Sequence, residues 1–343
     1  MMATAMQVSP DTSLAPVLAR HPLVVCVGTG GVGKTTVAAA IALGVARRGR
    51  RAMVLTIDPA RALGRTLGID LTTGHAIPVE RGVLGAAMLD QKREWDAFVA
   101  RHAPSDASAR MLLGNPFYQR LSTSFAGSTE YMAIEEMCRL AESGDHDLVV
   151  LDTPPSAHAI DFLRAPERID RLLDEPHQLV GAMARFVVRQ LERAAGSETL
   201  RDLATFYRAI SALVGGVRER TRHARAVLRG GDAAFVLVTG PRASILDDTR
   251  ALADALRAQA APLSAVVVNR THPRLPSAHG EIAHPWLHAR WEEAVAEAAA
   301  EAAILDPFLT SLPDGIARVL VPEAHHDLHS LADLDAVATH LGI

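Results

Sequence analysis

Short apolar runs alternate along the chain with longer stretches in which apolar residues recur at helical intervals. Several runs are apolar at every position, as in Val266-Val267-Val268, which is typical of strands buried on both faces of a parallel sheet. We therefore predict an α/β fold with a doubly wound, mostly parallel sheet of about seven or eight strands. The runs that predict strands are Leu23–Val27, Met53–Ile57, Val83–Leu89, Leu148–Leu151, Ala234–Thr239, Ala265–Asn269 and Ala317–Val321.

Two stretches depart from this alternation. Residues 90–142 have mainly helical spacing, and residues 166–229 contain no convincing strand. We predict that both are helical insertions in a single domain of residues 21–343, which follows a flexible tail at residues 1–20. The apolar stripes of the second insertion either pack against the sheet or line a groove for another protein, and the pattern fits both alternatives.

Composition narrows the classes of function. The net charge of the 343 residues is −4, so we expect no general binding of nucleic acid. A hydrophobic share of 49% supplies a core and excludes a disordered chain. Neither a signal peptide nor an apolar run of about 18 residues is present, which predicts a cytoplasmic protein without a membrane span. The two cysteines, Cys26 and Cys138, are too few for a disulfide framework and are predicted to be core thiols.

The strongest motif is a glycine-rich loop between a predicted strand and an alanine-rich helix. Such a loop, ending in Gly-Lys-Thr, is the pattern of a phosphate-binding P-loop. Backbone N–H groups and the helix N-terminus bind phosphate oxygens, a lysine neutralises the outer phosphates, and a threonine hydroxyl is a ligand of Mg²⁺. The loop predicts that ATP and Mg²⁺ bind at Gly28, Thr29, Gly30, Gly31, Val32, Gly33, Lys34, Thr35 and Thr36.

Two aspartates follow predicted strands, where α/β sheets bind their ligands. Asp58 comes after Met53–Ile57, and Asp152 comes after Leu148–Leu151. A P-loop needs a carboxylate near its Mg²⁺ and a group that positions the attacking water, and these two aspartates are the candidates. Each could instead be the N-cap of the helix that follows.

These segments together resemble the ArsA-type ATPases, which include arsenite-pump ATPases and targeting ATPases for tail-anchored membrane proteins. The resemblance covers residues 22–337, nearly the whole chain. It rests on the glycine-rich loop, Asp58-Pro59-Ala60, Phe125–Glu130, Asp152-Thr153-x-Pro155, Val267–Arg270, and Val321-Pro322 with Asp327–His329.

The resemblance implies a role for each matching residue. Asp58 would orient the attacking water and lie near the metal, and Asp152 would hold Mg²⁺ together with Thr35. Asn269 and Arg270 would lie on the adenine side of the nucleotide, with Pro322 closing the base pocket. His158 would lie in a segment that moves with the nucleotide state. Because the chain has one P-loop, the resemblance implies a homodimer.

The chain also departs from this family. Thr29 stands where the family usually has a lysine that reaches the partner's phosphates, and a hydroxyl does not replace that charge. Arg61 is a candidate substitute, or else a solvated helix residue. The cysteine pairs that bind zinc or arsenite in the family are absent. Three C-terminal histidines, at 325, 326 and 329, form an incomplete metal pattern.

We expect a Mg²⁺-dependent ATPase whose nucleotide-driven homodimer closure moves or releases an unknown client, in the manner of anion-transport or membrane-protein-targeting ATPases. The client would be a protein or a membrane subunit. One alternative is a nucleotide-gated positional switch similar to the Min and Par proteins. Another is a regulatory module that binds ATP with little turnover, because Thr29 is uncharged.

Overall fold

The apolar runs form one eight-stranded sheet in the computed structural model of the chain. The structure describes residues 13–58, 62–71, 75–79, 81–124, 128–154, 157–174, 215–273 and 284–343. The strands are β1 Leu23–Gly28, β2 Arg51–Thr56, β3 His75–Val79, β4 Gly82–Met88, β5 Leu148–Asp152, β6 Ala233–Thr239, β7 Leu263–Thr271 and β8 Ala317–Pro322.

The strand order is β3-β4-β2-β5-β1-β6-β7-β8, and all neighbours are parallel except β3 and β4. The predicted fold class is therefore confirmed. β1, which leads into the glycine-rich loop, lies between β5 and β6, so the loop opens at the centre of the sheet. The chain order reverses around β1, and this is where doubly wound sheets form their ligand crevice.

The antiparallel edge strand β3 was not among the predicted strands. It pairs with β4, for example through Ile77 opposite Leu84. Pro78 interrupts its apolar pattern and is exposed, which suits an edge strand because proline has no N–H for a further ladder bond.

Helices cover the sheet and also form a separate group. Among the described residues none is long and apolar enough to cross a membrane. The helices are α1 Ala15–Arg20, α2 Lys34–Arg47, α3 Ala62–Leu67, α4 Gln91–His102, α5 Asp106–Leu113, α6 Pro116–Ser124, α7 Ser128–Glu142, α8 Ala157–Asp174, α9 (residues 215–229), α10 Ala243–Ala258, α11 Pro285–Ser311 and α12 Leu331–His340.

The chain divides into two units. The first contains the sheet and comprises Met1–Met88, Ser143–Ile160 and Gly231–Ile343. Its core is built around α2, which is buried almost throughout because alanine, valine and leucine occupy nearly every position after the loop. A helix that is apolar on all sides is stable only in such a buried position.

The predicted tail at residues 1–20 is wrong for its last part. Residues 15–20 form α1, and Leu14, Val17 and Leu18 are buried in the core. The Leu14 backbone N–H donates to the carbonyl oxygen of Leu341 at 2.9 Å, so this segment is attached to the end of the chain. The sequence did not indicate the packing because the partner lies more than three hundred residues away. Residues 1–12 lie outside the described part of the chain.

The second unit comprises Leu89–Glu142 and Asp161–Gly230 and is helical wherever it has regular structure that is described. Trp95, Phe98 and Tyr131 form its aromatic centre, with ring centroids 5.8–6.3 Å apart. The arginine-rich stretch of α9 makes ion pairs inside this unit: Arg220 pairs with Glu135 at 3.0 Å. Residues 175–214, on which the choice between groove and core depends, lie outside the described residues.

Candidate functional site

The glycine-rich loop joins β1 to α2 and takes a shape that only glycine allows at two positions. Gly33 has φ +91° at the N-cap of α2, and a Cβ there would lie 2.2 Å from the amide nitrogen of Asn269. A Cβ on Gly28 would lie 2.1 Å from the carbonyl oxygen of Val238. These close approaches and the left-handed φ of Gly33 explain the glycines at both positions.

Asn269 fastens the loop to the end of β7. Its side-chain Nδ2 donates to the carbonyl oxygen of Val32 at 2.9 Å, and the side chain is buried. Buried polar groups need such partners, because an unsatisfied amide costs about 1–3 kcal/mol. The bond therefore holds the middle of the loop in a fixed position relative to the sheet.

Lys34 lies folded back under the loop. Its Nζ donates to the carbonyl oxygen of Thr29 at 2.9 Å, and the side chain is buried. Burial lowers the pKa of Lys34, and the charges of Asp152 and Asp58 oppose this shift. The Thr29 side chain is also buried, and its hydroxyl has no hydrogen-bond partner among the described residues.

Asp152 is the last residue of β5, and its carboxylate accepts hydrogen bonds from two threonine hydroxyls. Thr35 donates to its Oδ2 at 2.8 Å and Thr56 at 3.0 Å. The other oxygen, Oδ1, is buried without a hydrogen bond from any residue that the structure describes. Burial raises the pKa of Asp152 to about 6, while the two hydroxyls and the Lys34 charge act in the opposite direction.

These oxygens fit a Mg²⁺ ion. Magnesium binds oxygen ligands and usually takes few from the protein, with the remainder supplied by phosphates and water. The Thr35 hydroxyl and the Asp152 carboxylate are 2.8 Å apart, and the unpartnered Oδ1 leaves a site for a ligand bond. No cluster of three or more His, Cys, Asp or Glu side chains suited to a metal occurs in the described parts of the chain.

Asp58 follows β2 and belongs to the same cluster. Its backbone N–H donates to the Thr56 hydroxyl at 3.2 Å, and its side chain is half-buried. Its charge raises the pKa of both Lys34 and Asp152, as expected for a carboxylate close to each group. Residues 59–61, which include the candidate Arg61, lie outside the described residues.

Two cavities adjoin the loop. The β8 cavity, about 500 Å³, lies between α2, the end of β7 and the end of β8. Its lining includes Thr36, Asn269, Arg270, Pro322 and the histidines at 325, 326 and 329. The glycine cavity, about 600 Å³, lies on the other side of Asn269 and Arg270. Its lining includes Gly30, Gly31, Val32, Arg242 and part of α11.

Comparison with known sequences identifies the family. A sequence model described as anion-transporting ATPase matches residues 21–295, which is most of the chain. The chain belongs to the anion-transporting ATPase family. This confirms the resemblance to ArsA-type proteins that the motifs indicated.

Three known proteins show how far the similarity in sequence extends. The chain is 25% identical over 270 residues to ATPase GET3B of Arabidopsis thaliana, covering 72% of this chain and 63% of that protein. It is 23% identical to ATPase GET3 of Phaeosphaeria nodorum, covering 78% and 83%. A Streptomyces coelicolor protein named "Uncharacterized protein SCO2128" is 39% identical over 151 residues, covering 43% and 37%. The match thus spans less than two thirds of the length of the first and last of these relatives.

In this member of the family, the structure gathers the sequence-predicted residues around the loop. Lys34, Thr35, Asp58 and Asp152 form one cluster, while Asn269, Arg270 and Pro322 line the β8 cavity beside it. The side chain of His158 and residues 125–127 lie outside the described residues.

Two residues beside the loop were not predicted from the sequence. Thr56 was not singled out, although a polar residue in the last position of a buried strand was an available signal. Arg242 was missed because it belongs to no motif, and only the fold brings it near the glycine-rich loop.

Proposed function

We propose that this protein binds ATP on the loop of residues 28–36 and hydrolyses it to ADP and phosphate with the help of Mg²⁺. The observation that carries the proposal is the buried Asp152, bonded to the Thr35 hydroxyl at 2.8 Å and left with an unpartnered oxygen. A buried oxygen without a hydrogen bond is costly unless a ligand satisfies it. Membership of a family described as ATPases supports the same conclusion.

The loop would bind the phosphates through its backbone. The left-handed φ at Gly31 and Gly33 lets successive N–H groups face one side, and α2 adds the positive end of its dipole. Lys34, which now donates to the Thr29 carbonyl, would exchange this bond for a phosphate oxygen. Because its pKa is lowered by burial, an anionic ligand would stabilise its charged form.

Thr35 and Asp152 would hold Mg²⁺, with Asp58 beside them. The ion supplies positive charge that offsets the negative charge of the phosphates during transfer. Since the pKa of Asp152 is about 6, its carboxylate is mostly ionised at neutral pH and suited to a cation. Thr56 would help to hold this carboxylate in place, because its bond to Oδ2 does not involve the loop.

Asp58 would position the attacking water. It is half-buried after the end of β2, and its charge acts on both Lys34 and Asp152, so it lies near the proposed metal ligands. Asn269, Arg270 and Pro322 would bind the base in the β8 cavity, whose volume of about 500 Å³ is within the range of small-molecule pockets. Thr36 lines the same cavity and connects it to the loop.

We further propose that the protein works as a homodimer in the cytoplasm, and that ATP binding closes the dimer to move or release a client. The relatives named ATPase GET3B and ATPase GET3 support the ATPase part of this proposal, and the resemblance to ArsA-type ATPases implies the dimer and the client. The client would be a protein or a membrane subunit rather than nucleic acid, because the net charge is −4. A second candidate, ATP binding with little turnover, is favoured by the uncharged and buried Thr29.

The test is ATP binding and phosphate release by the purified full chain, with Lys34→Ala beside the wild type. We expect Mg²⁺-dependent turnover in the wild type, and at least about a hundredfold loss in Lys34→Ala. Lys92→Ala is a matched control, because it removes the other lysine of the chain, which lies in the second unit. Binding without turnover in the wild type would favour the second candidate, and equal turnover in wild type and Lys34→Ala would refute the assignment of the site.

A further inference from the structure

The end of β7 contains a left-handed residue beside the proposed nucleotide site. Arg270 has φ +62°, which is rare for a residue with a Cβ, and it lies where the register between β7 and β8 shifts. Its exposed side chain lines both cavities. Strand pairing resumes at Thr271, whose carbonyl oxygen accepts a bond from the N–H of Glu323 at 2.9 Å. A backbone conformation of this kind persists where the surroundings impose it, so the contacts on either side of Arg270 decide its stability.

On the inner side, Asn269 fits closely against the glycine-rich loop. Its Nδ2 donates to the carbonyl oxygen of Val32 at 2.9 Å, and a Cβ on Gly33 would lie only 2.2 Å from the same nitrogen. The Asn269 side chain is buried. Because the loop approaches this amide so closely, a small shift at the end of β7 would either break the bond or displace the loop.

On the outer side, the segment is attached to α11 by Glu301. This carboxylate accepts two bonds from His272: the backbone N–H donates to Oε1 at 2.9 Å, and the ring Nδ1 donates to Oε2 at 2.7 Å. The Glu301 side chain is only 10% exposed, whereas His272 is exposed. Glu297, one turn earlier on α11, lies 3.8 Å from the other ring nitrogen. Glu301 therefore holds both the main chain and the side chain of His272, through bonds that its charge strengthens.

Resting on the proposed function, we propose that Glu301 is a positioning residue of the nucleotide site, which acts through His272 on the Asn269 amide. These two anchors hold the segment at both ends, and the left-handed turn at Arg270 lies between them. Without the outer anchor, the turn would relax toward the extended conformation that residues with a Cβ prefer. The Asn269 amide would then move away from Val32, and the affinity for the parts that ATP and ADP share would fall.

The test measures the affinities of a nonhydrolysable ATP analogue and of ADP for the full chain by calorimetry with Mg²⁺, and KM and kcat for ATP on the same preparations. Glu301→Ala removes both bonds to His272. Glu301→Gln keeps an oxygen that accepts from the His272 backbone N–H, and it carries the same comparison if the alanine variant does not fold. Glu293→Ala is the matched control, because Glu293 is exposed on the same helix and pairs with Arg290 at 2.6 Å.

A second background separates positioning from a general loss of stability. In Arg270→Gly the left-handed conformation carries no steric cost, so the segment depends less on its outer anchor. This replacement removes a proposed base contact and lowers the affinity by itself, and the informative quantity is the further effect of Glu301→Ala in that background. We expect Glu301→Ala to weaken both nucleotides about tenfold in the wild-type background and less than about threefold with Arg270→Gly.

The kinetic constants give an independent readout. KM should rise in Glu301→Ala while kcat changes less than about threefold, because Lys34, Asp58 and Asp152 lie outside the end of β7. The glutamine variant should recover part of the affinity, and the control should be unchanged. The proposal would be overturned by unchanged affinity in both Glu301 variants, by equal effects in the two backgrounds, or by a fall in kcat as large as the loss of affinity. If the wild type bound neither nucleotide, the proposed function itself would be refuted, and this outcome is distinct from a failure confined to Glu301.

Discussion

Replacing Asp152 by asparagine should make the nucleotide-free protein more stable at alkaline pH, although it removes a ligand from the proposed site. Burial raises the pKa of Asp152 from 3.8 to about 6 in the folded chain. The folded state therefore holds the proton more tightly than the unfolded state does. The resulting stability is fully present below pH 3.8 and is lost as the pH rises through about 6.

The magnitude follows from the size of the shift. A rise of roughly two pKa units corresponds to about 3 kcal/mol lost at pH 8, at about 1.4 kcal/mol per unit. Asparagine carries no charge and still accepts bonds from Thr35 and Thr56 through its oxygen, but its unpartnered amide group costs about 1–2 kcal/mol. We therefore expect Asp152→Asn to be about 1–2 kcal/mol more stable than the wild type at pH 8.

The sharper measure is how the stability difference changes with pH. At pH 5 most of the folded wild type carries the proton on Asp152, so the difference should shrink by about 1–2 kcal/mol between pH 8 and pH 5. Urea unfolding of both proteins, without nucleotide and with a chelator, measures it. Asp147→Asn is the control, because Arg51 lowers the pKa of Asp147 to about 2 and its titration falls outside this range. A difference that stays constant from pH 5 to pH 8 would contradict a raised pKa of Asp152 in the folded chain.

Three further predictions concern Gly33, Glu94 and Thr35. Gly33→Ala should lower the free energy of unfolding in urea by about 2–3 kcal/mol and abolish ATP binding, because its Cβ would lie 2.2 Å from the Asn269 amide nitrogen at a left-handed φ. Gly31→Ala, at a left-handed φ but with open space around it, should lower the same free energy by only about 1–2 kcal/mol. Glu94 has a pKa raised by burial and by a neighbouring carboxylate, so its contribution to stability is lost as the pH rises above the usual glutamate range. Thermal melts from pH 4 to pH 8 should show a flatter profile for Glu94→Gln, and identical profiles would contradict this. Thr35→Ala should raise the Mg²⁺ concentration needed for half-maximal turnover by about tenfold or more, and an unchanged Mg²⁺ titration would exclude this hydroxyl as a ligand.

The central part of the fold was predictable because its signals are local. Runs such as Val266-Val267-Val268 are long enough in apolar residues to mark buried strands without knowledge of their neighbours. The glycine-rich loop carries its own context, a strand before it and a helix after it. The proximity of Asp58 and Asp152 could be predicted from one rule, because the carboxyl ends of parallel strands lie at the same edge of a sheet.

The remainder depended on contacts between distant segments. α1 is amphipathic over only six residues, and it packs because Leu14 finds Leu341 at the far end of the chain. β3 is held by its pairing with β4 rather than by a strong pattern of its own. Arg242 comes close to Gly30 only because β6 lies next to β1. In each case the residues can be read from the sequence, but the contact that gives them a role forms only in the folded chain.

The most direct test of the proposed ATPase is phosphate release from Mg²⁺-ATP by the wild type and by Asp58→Asn, with ATP affinity measured on the same samples. We predict at least about a hundredfold lower turnover in Asp58→Asn, because the carboxylate that positions the water is lost. ATP affinity should change less than about threefold, because the loop and Lys34 remain intact. Equal turnover in the two proteins would contradict the role of Asp58 and the chemistry proposed for the site.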